Sequence, residues 1–402
     1  MERSLMTYKT DVCVVGGAGH VGAPLAIVFA KHGLDTLIYD LNPSAMQLLQ
    51  GGEMPFMEEG AEPLLKEALA AKKLSFTTDV ARVADARYVV VTIGTPIDEF
   101  QNPMLRLVEE CMQTLLPYLS DGQTVILRST LFPGVTDWLQ RYLRMHGKKT
   151  GVAFCPERVV QGHSIRELQE LAQIVSGTTP EAEAAAEQLF AKIAPKIVRM
   201  VVKEAEFAKL ISNAYRYITF ATSNQFYMMV TDAGLDYHRL LKGLKEDYPR
   251  MADLPSPGFA AGPCLYKDTL QLAAAYSDTF GLGYAALQVN EGLPAFIVQR
   301  LAARQDLGDK TVGILGMAFK SQSDDIRSSL SYKLKKLLKY QAREVLATDP
   351  FVTVDSTLLP LDEVIKRSDV LVVGVPHKAY KHLETRGKPL VDVWNFVTTE
   401  HK

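Results

Sequence analysis

The stretch Val12–Gly22 constrains the fold more than any other part of the chain. A short apolar run, Val12–Val15, passes into Gly16, Gly17, Ala18, Gly19, His20, Val21 and Gly22, and an apolar helical pattern continues to His32. A second apolar run, Thr36–Asp40, ends on a carboxylate roughly 20 residues beyond the loop. Strand, glycine loop, helix and strand in this order open a doubly wound α/β domain. Gly17 is expected to permit the tight turn, Gly19 to let the backbone approach a pyrophosphate, and Gly22 to let the helix lie close to the strand. The N–H groups around His20 and Val21 would then face phosphate at a helix N-terminus. Asp40 is placed to bind ribose hydroxyls and to repel a 2′-phosphate. Leu41–Pro43 contains no Arg, so the cofactor expected is NAD rather than NADP.

Further apolar runs end in polar loops. Tyr88–Ile93 leads to Gly94, Thr95 and Pro96. Thr124–Leu127 leads to Arg128, Ser129 and Thr130, and Val152–Cys155 leads to Pro156, Glu157 and Arg158. In a parallel doubly wound sheet such loops form the ligand edge. From about Lys203 to Arg300 the strand signal disappears. Glu204–Ala233 has the spacing of one long helix, with Phe207, Leu210, Ile211, Ala214, Ile218 and Ala221 on its apolar positions. Leu235–Leu244 and Thr269–Ala275 also look helical, around an irregular Pro- and Gly-rich stretch, Pro249–Asp268. The end of the chain then repeats its beginning: Lys310–Gly316 matches Lys9–Gly16, Glu344–Pro350 matches Leu37–Pro43, and Ser368–Pro376 matches Asp85–Pro96. The expected fold is α/β, with two Rossmann-like doubly wound domains, 1–202 and 303–402. A central helical domain, 203–302, built on one long helix, joins them.

With 402 residues the chain has room for two or three cores. Its net charge of −2 gives no sign of a nucleic-acid or membrane-surface partner. No apolar run is long enough to cross a membrane. The start, Met1–Thr10, lacks an apolar signal core. The four cysteines show no zinc or redox spacing, so no metal is expected, and a reduced cytoplasmic protein is the simplest expectation.

Three features suggest chemistry. Lys209 and Asn213 stand at i and i+4 on the long helix and so share a face, beside the apolar Ala208, Ile211 and Ala214. Alone, this pair reads more readily as a snorkelling Lys and a locally bonded Asn. Cys264 lies in a Gly/Pro loop, Pro257–Asp268, close to a helix start and to Lys267, a setting that favours a thiolate. Glu157 follows a strand and would stand on the ligand edge.

Together these residues resemble the nucleotide-sugar 6-dehydrogenases, which act on UDP-glucose and UDP-N-acetylhexosamines. The resemblance runs over nearly the whole chain. It rests on the Gly17-x-Gly19 loop, Gly94–Pro96, Ser129–Thr130, Pro156–Glu157, Lys209-x-x-x-Asn213, Cys264-x-x-Lys267–Asp268 and Gly316–Lys320 through Asp325–Ser328. It implies a four-electron oxidation of a sugar C6 alcohol to a carboxylate using two NAD. Lys209, Asn213 and a water held by Asp268 would face the C6 oxygen, and Cys264 would form a thiohemiacetal and then a thioester. Glu157 and Asp268 would act as bases for hydrolysis, with Thr130 positioning water. It further implies that Thr95, Pro96, Ser129, Thr130, Lys267 and Arg327 meet the cofactor. Glu157, Arg158, Lys209, Asn213, Arg250, Phe259, Gly262, Phe319 and Lys320 would meet a UDP-sugar, with Lys320 and Arg327 suited to its diphosphate. A homodimer through the central helix is implied as well.

The chain departs from the pattern at Gly258–Cys264, where Ala260 and Ala261 add two methyl groups near the sugar, and at Gln161, where many UDP-glucose members carry an acid. Two other readings stay open. One is a two-electron β-hydroxyacid dehydrogenase, which needs neither the Cys nor the second α/β domain. The other is a non-catalytic protein that senses NAD or a nucleotide sugar.

Overall fold

A computed structural model describes residues 8–97 and 104–398. Most of the polar N-terminal segment Met1–Thr10 lies outside them. The chain divides into two compact units, 1–211 and 212–402.

The first unit is built on an eight-stranded sheet: β1 (Thr10–Val15), β2 (Thr36–Tyr39), β3 (Leu74–Thr77), β4 (Ala86–Val91), β5 (Thr124–Leu127), β6 (Gly151–Phe154), β7 (Gln173–Gly177) and β8 (Ile197–Arg199). Their order is β3-β2-β1-β4-β5-β6-β7-β8. Neighbours run parallel except β6 and β7, which pair antiparallel through Ala153–Gly177 and Phe154–Ser176. That antiparallel step, with β3, β7 and β8, extends the expected parallel sheet.

Successive strand residues face opposite sides, and both sides are buried. Val12, Val14, Ile38, Val90 and Ile126 pack into one core with the helix Gly22–Lys31. Cys13, Val15, Leu37, Val89, Val91, Val125 and Leu127 pack into another with the helices Leu105–Leu115 and Val135–Met145. Each wholly buried Val, Leu or Ile contributes about 1.5–3 kcal/mol. Four-residue strands with no exposed side are therefore enough to anchor the loops beyond them.

The second unit carries the repeat anticipated from the sequence. Strands β9 (Thr311–Leu315), β10 (Glu344–Thr348), β11 (Val370–Val373) and β12 (Leu390–Val391) form a parallel sheet in the order β10-β9-β11-β12. The succession β10-β9-β11 reproduces β2-β1-β4. Before this sheet the described residues are helical or irregular. The long helix runs Val202–Asp232 and belongs to both units. It is followed by Tyr237–Lys245, Leu265–Ala275 and Gly281–Arg304. The last of these has Pro294 inside it and no counterpart in the helices expected from sequence. The helix expected to begin around Asp268 starts at Leu265, with Cys264 at its N-cap.

Candidate active site

In the first unit the glycine loop closes on the end of β2, with Gly16 N and Gly17 N both donating to the Tyr39 carbonyl. The left-handed residue of the turn is Gly16, at φ 74°, and not Gly17 as the motif spacing suggested. Gly17 is required for space instead. A Cβ there would stand 2.7 Å from the Val14 carbonyl oxygen and 2.9 Å from Ile38 Cγ2. At Gly22 a Cβ would meet Gly16 O at 2.5 Å and Gly17 Cα at 2.6 Å, so the helix does lie against the loop. Around Gly19 the space is open, with the nearest atom 3.4 Å away.

Asp40 Oδ2 accepts from Ala18 N at 2.9 Å, and Oδ1 accepts from Asn42 N at 2.9 Å. An ionised carboxylate has about four acceptor positions, so part of Asp40 remains available to a ligand. Beside it lies an apolar cavity of about 330 Å³ lined by Gly16, Asp40, Leu107, Glu110, Cys111 and Thr114, among others. The glycine cradle, the partly open carboxylate and this slot fit an adenosine diphosphate moiety. The face of Leu105–Leu115 that closes the slot was missed from sequence, although Leu107, Cys111 and Thr114 share one helical face.

Short hydrogen bonds tie the neighbouring loops to one another. Thr92 Oγ1 donates to the Val15 carbonyl, Ser129 Oγ to Ile93 O at 2.5 Å, and Thr95 Oγ1 to Thr130 O at 2.7 Å. Pro96 O accepts from Met104 N. His20 stacks against Phe56 with ring centroids 4.0 Å apart, and its Nδ1 lies 3.2 Å from Gln161 Nε2. Val21 caps the helix without a side-chain bond.

Glu157 stands among three cations. Lys209 Nζ is 3.9 Å from its Oε2. Arg128 and Arg158 each have Glu157 as an electrostatic partner. Arg128 is wholly buried, donates to Cys155 O and Gln173 Oε1, and lies over the Phe190 ring. Burial pushes its guanidinium below its ordinary value, and the Glu157 carboxylate works against that. Arg158 donates to Ala172 O. One turn before Lys209 the buried Glu206 accepts from Gly134 N, Thr136 N and Thr136 Oγ1. It thereby caps the helix Val135–Met145 from the long helix. Neither Arg128 nor Glu206 was singled out from sequence.

In the second unit Asp268 is fully buried at the first turn of its helix. Asn213 Nδ2 donates to its Oδ2 at 2.6 Å, and Lys267 Nζ faces Oδ1 at 2.7 Å as an ion pair. Oδ1 accepts no hydrogen bond among the described residues. Cys264 is exposed at the helix start. Of the other three, Cys13 and Cys155 are buried and Cys111 is partly so, and burial pushes all three thiols up to about 12. They are neutral, inert thiols at physiological pH.

Arg327 is held above its ordinary value by a fork of bonds to Asp325, with Cys264 among the charges acting on it. Gly262 at φ 108° leaves room for Phe319, whose Cδ2 would lie 2.6 Å from a Cβ there, and Lys320 Nζ sits 5.9 Å from the Phe319 ring centroid. Thus Cys264, Asp268 and Asn213 are joined through one helix start, and Gly262, Phe319, Lys320 and Arg327 border one loop. Phe259 is buried with Leu293 and Ile297, so packing occupies it. Arg250 is exposed, over the Tyr248 ring. Asn224 brackets Gly258 through its N–H and carbonyl, a buried clamp that the sequence did not announce.

The second glycine turn repeats the first, with Gly316 at φ 96° in the place of Gly16. Its carboxylate differs. Asp349 accepts from five donors: the backbone N–H groups of Met317, Ala318, Phe351 and Val352, and His377 Nε2. His377 Nδ1 accepts from Gln322 N, which places the ring proton on Nε2. Asp349 has no acceptor position left for a ribose.

A dinucleotide cradle followed by a helical region and a second α/β fold whose matching carboxylate is saturated fits an NAD-dependent dehydrogenase with a separate nucleotide-binding domain. The chain belongs to the UDP-glucose/GDP-mannose dehydrogenase family: residues 10–194 match its NAD binding domain, 203–291 its central domain and 313–399 its UDP binding domain. It is therefore an oxidoreductase of nucleotide sugars. A UDP-N-acetyl-D-mannosamine dehydrogenase of Pyrococcus horikoshii is 29% identical over 390 residues, covering 93% of this chain and 92% of that one. An NDP-N-acetyl-D-galactosaminuronic acid dehydrogenase of Ralstonia nicotianae is 28% identical, covering 96% and 95%. The solved structure of the P. horikoshii UDP-D-ManNAc dehydrogenase superposes with a TM-score of 0.90 at 27% identity, covering 96% of each chain. No helix among the described residues is long and apolar enough to cross a membrane.

Proposed function

We propose that the chain oxidises the C6 alcohol of a UDP-N-acetylhexosamine to the carboxylate in two two-electron steps through a thioester on Cys264, and so makes an acidic sugar precursor for polysaccharide. The observation that carries this is Cys264, an exposed thiol at the start of the helix whose first turn holds the buried Asp268, with Asn213 on Oδ2 and Lys267 on Oδ1. When bound, NAD supplies the hydride acceptor for each oxidation. Gly16, Gly17, Gly22 and Asp40 would hold its adenosine diphosphate half, with Thr95, Pro96, Ser129, Thr130, Lys267 and Arg327 on its remaining contacts. The N-acetylhexosamine class is supported by the names of the relatives above and by Gln161, which stands where an acid is common among UDP-glucose members.

Each group has a role its chemistry suits. Lys209 and Asn213 donate to the C6 oxygen and stabilise negative charge there as its hydroxyl proton passes to a water held by Asp268. The Cys264 thiolate forms a bond to the aldehyde carbon, and the oxygen takes a proton, which retains a reactive aldehyde on the protein. After the second oxidation a water adds to the thioester carbon and gives its proton to Glu157 or Asp268. The carbon–sulfur bond breaks and the thiolate leaves. Thr130 positions the water. Lys320 and Arg327 hold the diphosphate, and Arg158, Arg250, Gly262 and Phe319 border the sugar nucleotide. Ile211, Tyr215, Phe226 and Met229 are exposed on the long helix, which suits a second copy of the chain as its cover.

The test is NADH counted per sugar consumed, with UDP-N-acetylmannosamine, UDP-N-acetylglucosamine, UDP-glucose, UDP-galactose and GDP-mannose in parallel. Two NADH per UDP-N-acetylhexosamine are expected, and Cys264→Ala should make no uronate. One NADH per sugar, or full uronate formation by the variant, refutes the thioester route.

A further inference from the structure

The sheet of the first unit has a second edge that the proposed reaction does not use. The glycine loop, Thr95, Ser129 and Glu157 all follow the carboxyl ends of strands. At the amino ends of β4, β5 and β6 lies a cleft of about 650 Å³ that includes Arg87, Thr124 and Gly151 in its lining. Thr124 and Gly151 are the first residues of β5 and β6, paired with each other in register. A four-residue strand spans roughly 13 Å, so the cleft is separated from the cofactor loops by the thickness of the sheet core.

Four cations line this cleft, namely Arg87, Arg144, Lys148 and Lys149, against one carboxylate, Glu181. The side chains of Arg144 and Lys149 have no hydrogen-bond or ion-pair partner among the described residues. Arg87 spends one N–H on Gln188 Oε1, at 3.0 Å, and Lys148 Nζ donates to Leu119 O. The floor is fixed. Gln123 Nε2 donates to Val83 O and Ala86 O, while its Oε1 accepts from Ser120 N. Gln140 Nε2 donates to Thr150 O, and its Oε1 accepts from Val152 N and Thr178 Oγ1. Both glutamines are buried and bonded to the protein, so the cations on the rim carry the charge that an anion would meet.

We propose that this cleft is a binding site for a polyphosphate-bearing anion of nucleotide size, distinct from the dinucleotide cradle. The volume lies within the range of small-molecule sites. Two forked guanidiniums and two ammonium groups match several phosphate oxygens at once. A net excess of three positive charges in a chain whose total charge is −2 is a local concentration, which attracts anions. A bland role is available to Arg144, in the last turn of its helix, as a complement to the helix dipole. That role does not account for Arg87, which comes from β4, nor for Lys148 and Lys149, which lie past the helix end.

Calorimetric titration of the full chain with sodium tripolyphosphate, with NAD and UDP held at saturation, tests the site. One tripolyphosphate per chain is expected, weakening at least tenfold between 50 and 200 mM salt on the order that multiple phosphate contacts give. Arg144→Glu with Lys149→Glu should abolish it and leave turnover of the sugar nucleotide unchanged. A parallel titration with ATP separates the two sources of the chemistry: tighter binding of ATP assigns a nucleotide, equal binding a bare polyphosphate chain. No binding at 5 mM, binding that the charge-reversal variant retains, or binding that NAD and UDP displace overturns the proposal. None of the binding results bears on the thioester route, because binding is read by calorimetry in the absence of turnover.

Discussion

Replacing Glu157 by Gln should destabilise the first unit as well as slow the reaction, and the cost can be worked from Arg128. That guanidinium is wholly buried, and burial already disfavours its charge. The charges acting on it are those of Glu157, Cys155 and Arg158. Cys155 is pushed up to about 12 and is neutral at pH 7, and Arg158 repels. Glu157 is then the anion that compensates Arg128. Breaking a contacting buried pair costs about 3–5 kcal/mol. Glu157 acts on Arg128 through its charge without an ion-pair contact and keeps 15% of its side chain exposed, so the expected loss is smaller, about 1–2 kcal/mol. For a unit of this size that is a fall in Tm of about 2–8 °C. Arg128→Met in the same chain removes the orphaned charge and should restore most of the loss. Thermal unfolding of wild type, both single variants and the double variant forms the cycle, with a coupling of about 1 kcal/mol expected. Additive effects, or a Glu157→Gln chain as stable as wild type, refute the reasoning.

Two further outcomes follow from groups already described. Iodoacetamide at pH 7.5 should alkylate one cysteine in the folded chain and four in denaturant, read by intact mass, and Cys264→Ala should reduce the folded count to zero. Asp349 in the second unit and Glu58 and Glu206 in the first should also respond oppositely to acid, as read by hydrogen exchange on the peptides that carry them. Burial raises Asp349, but His377 and the backbone donors outweigh it and leave it below 3.8, so the folded form binds fewer protons than the unfolded. Its contribution is complete above 3.8 and is lost as pH falls through the lower folded value. Asp349→Asn should remove that loss. Burial holds Glu58 and Glu206 above 4.5 despite their hydrogen bonds. Their folded forms bind more protons, so their contribution is greatest in acid and declines as pH rises through the folded values. Glu58→Gln with Glu206→Gln should flatten that part of the profile.

The strands at the centre of each sheet were legible because buried parallel strands are continuous apolar runs. Those that escaped are short or polar-flanked: Leu74–Thr77 mixes Ser and Thr into its run, Gln173–Gly177 starts and ends polar, and Ile197–Arg199 has three residues. The helix Gly281–Arg304 was hidden by Gly281, Gly283, Gly292 and Pro294, each a breaker by propensity, and tertiary packing overrides them. In the site, residue types with a fixed local spacing stood out, such as the glycine loop with Asp40 and Lys209 with Asn213. Arg128, Glu206 and Asn224 did not. Their partners are backbone and side-chain groups far away in the chain, which leave no periodicity in the sequence. Glu58 is the same case, accepting from Gly162 N, Ser164 N and Ser164 Oγ more than a hundred residues away.

The contrast between Asp40 and Asp349 bears on how one chain sorts the nucleotides around it. A duplicated fold begins with two equal claims on every dinucleotide it meets. Here the second claim is withdrawn by saturation: the carboxylate that would accept a ribose is already satisfied by its own backbone and by His377. The turn can keep its glycine and its shape while its ligand changes, because discrimination resides in lone pairs already spoken for. A nucleotide that arrives at the second fold must be held by other groups, and a ribose finds no open carboxylate there. The two copies therefore need not compete, even where NAD greatly outnumbers the sugar nucleotide.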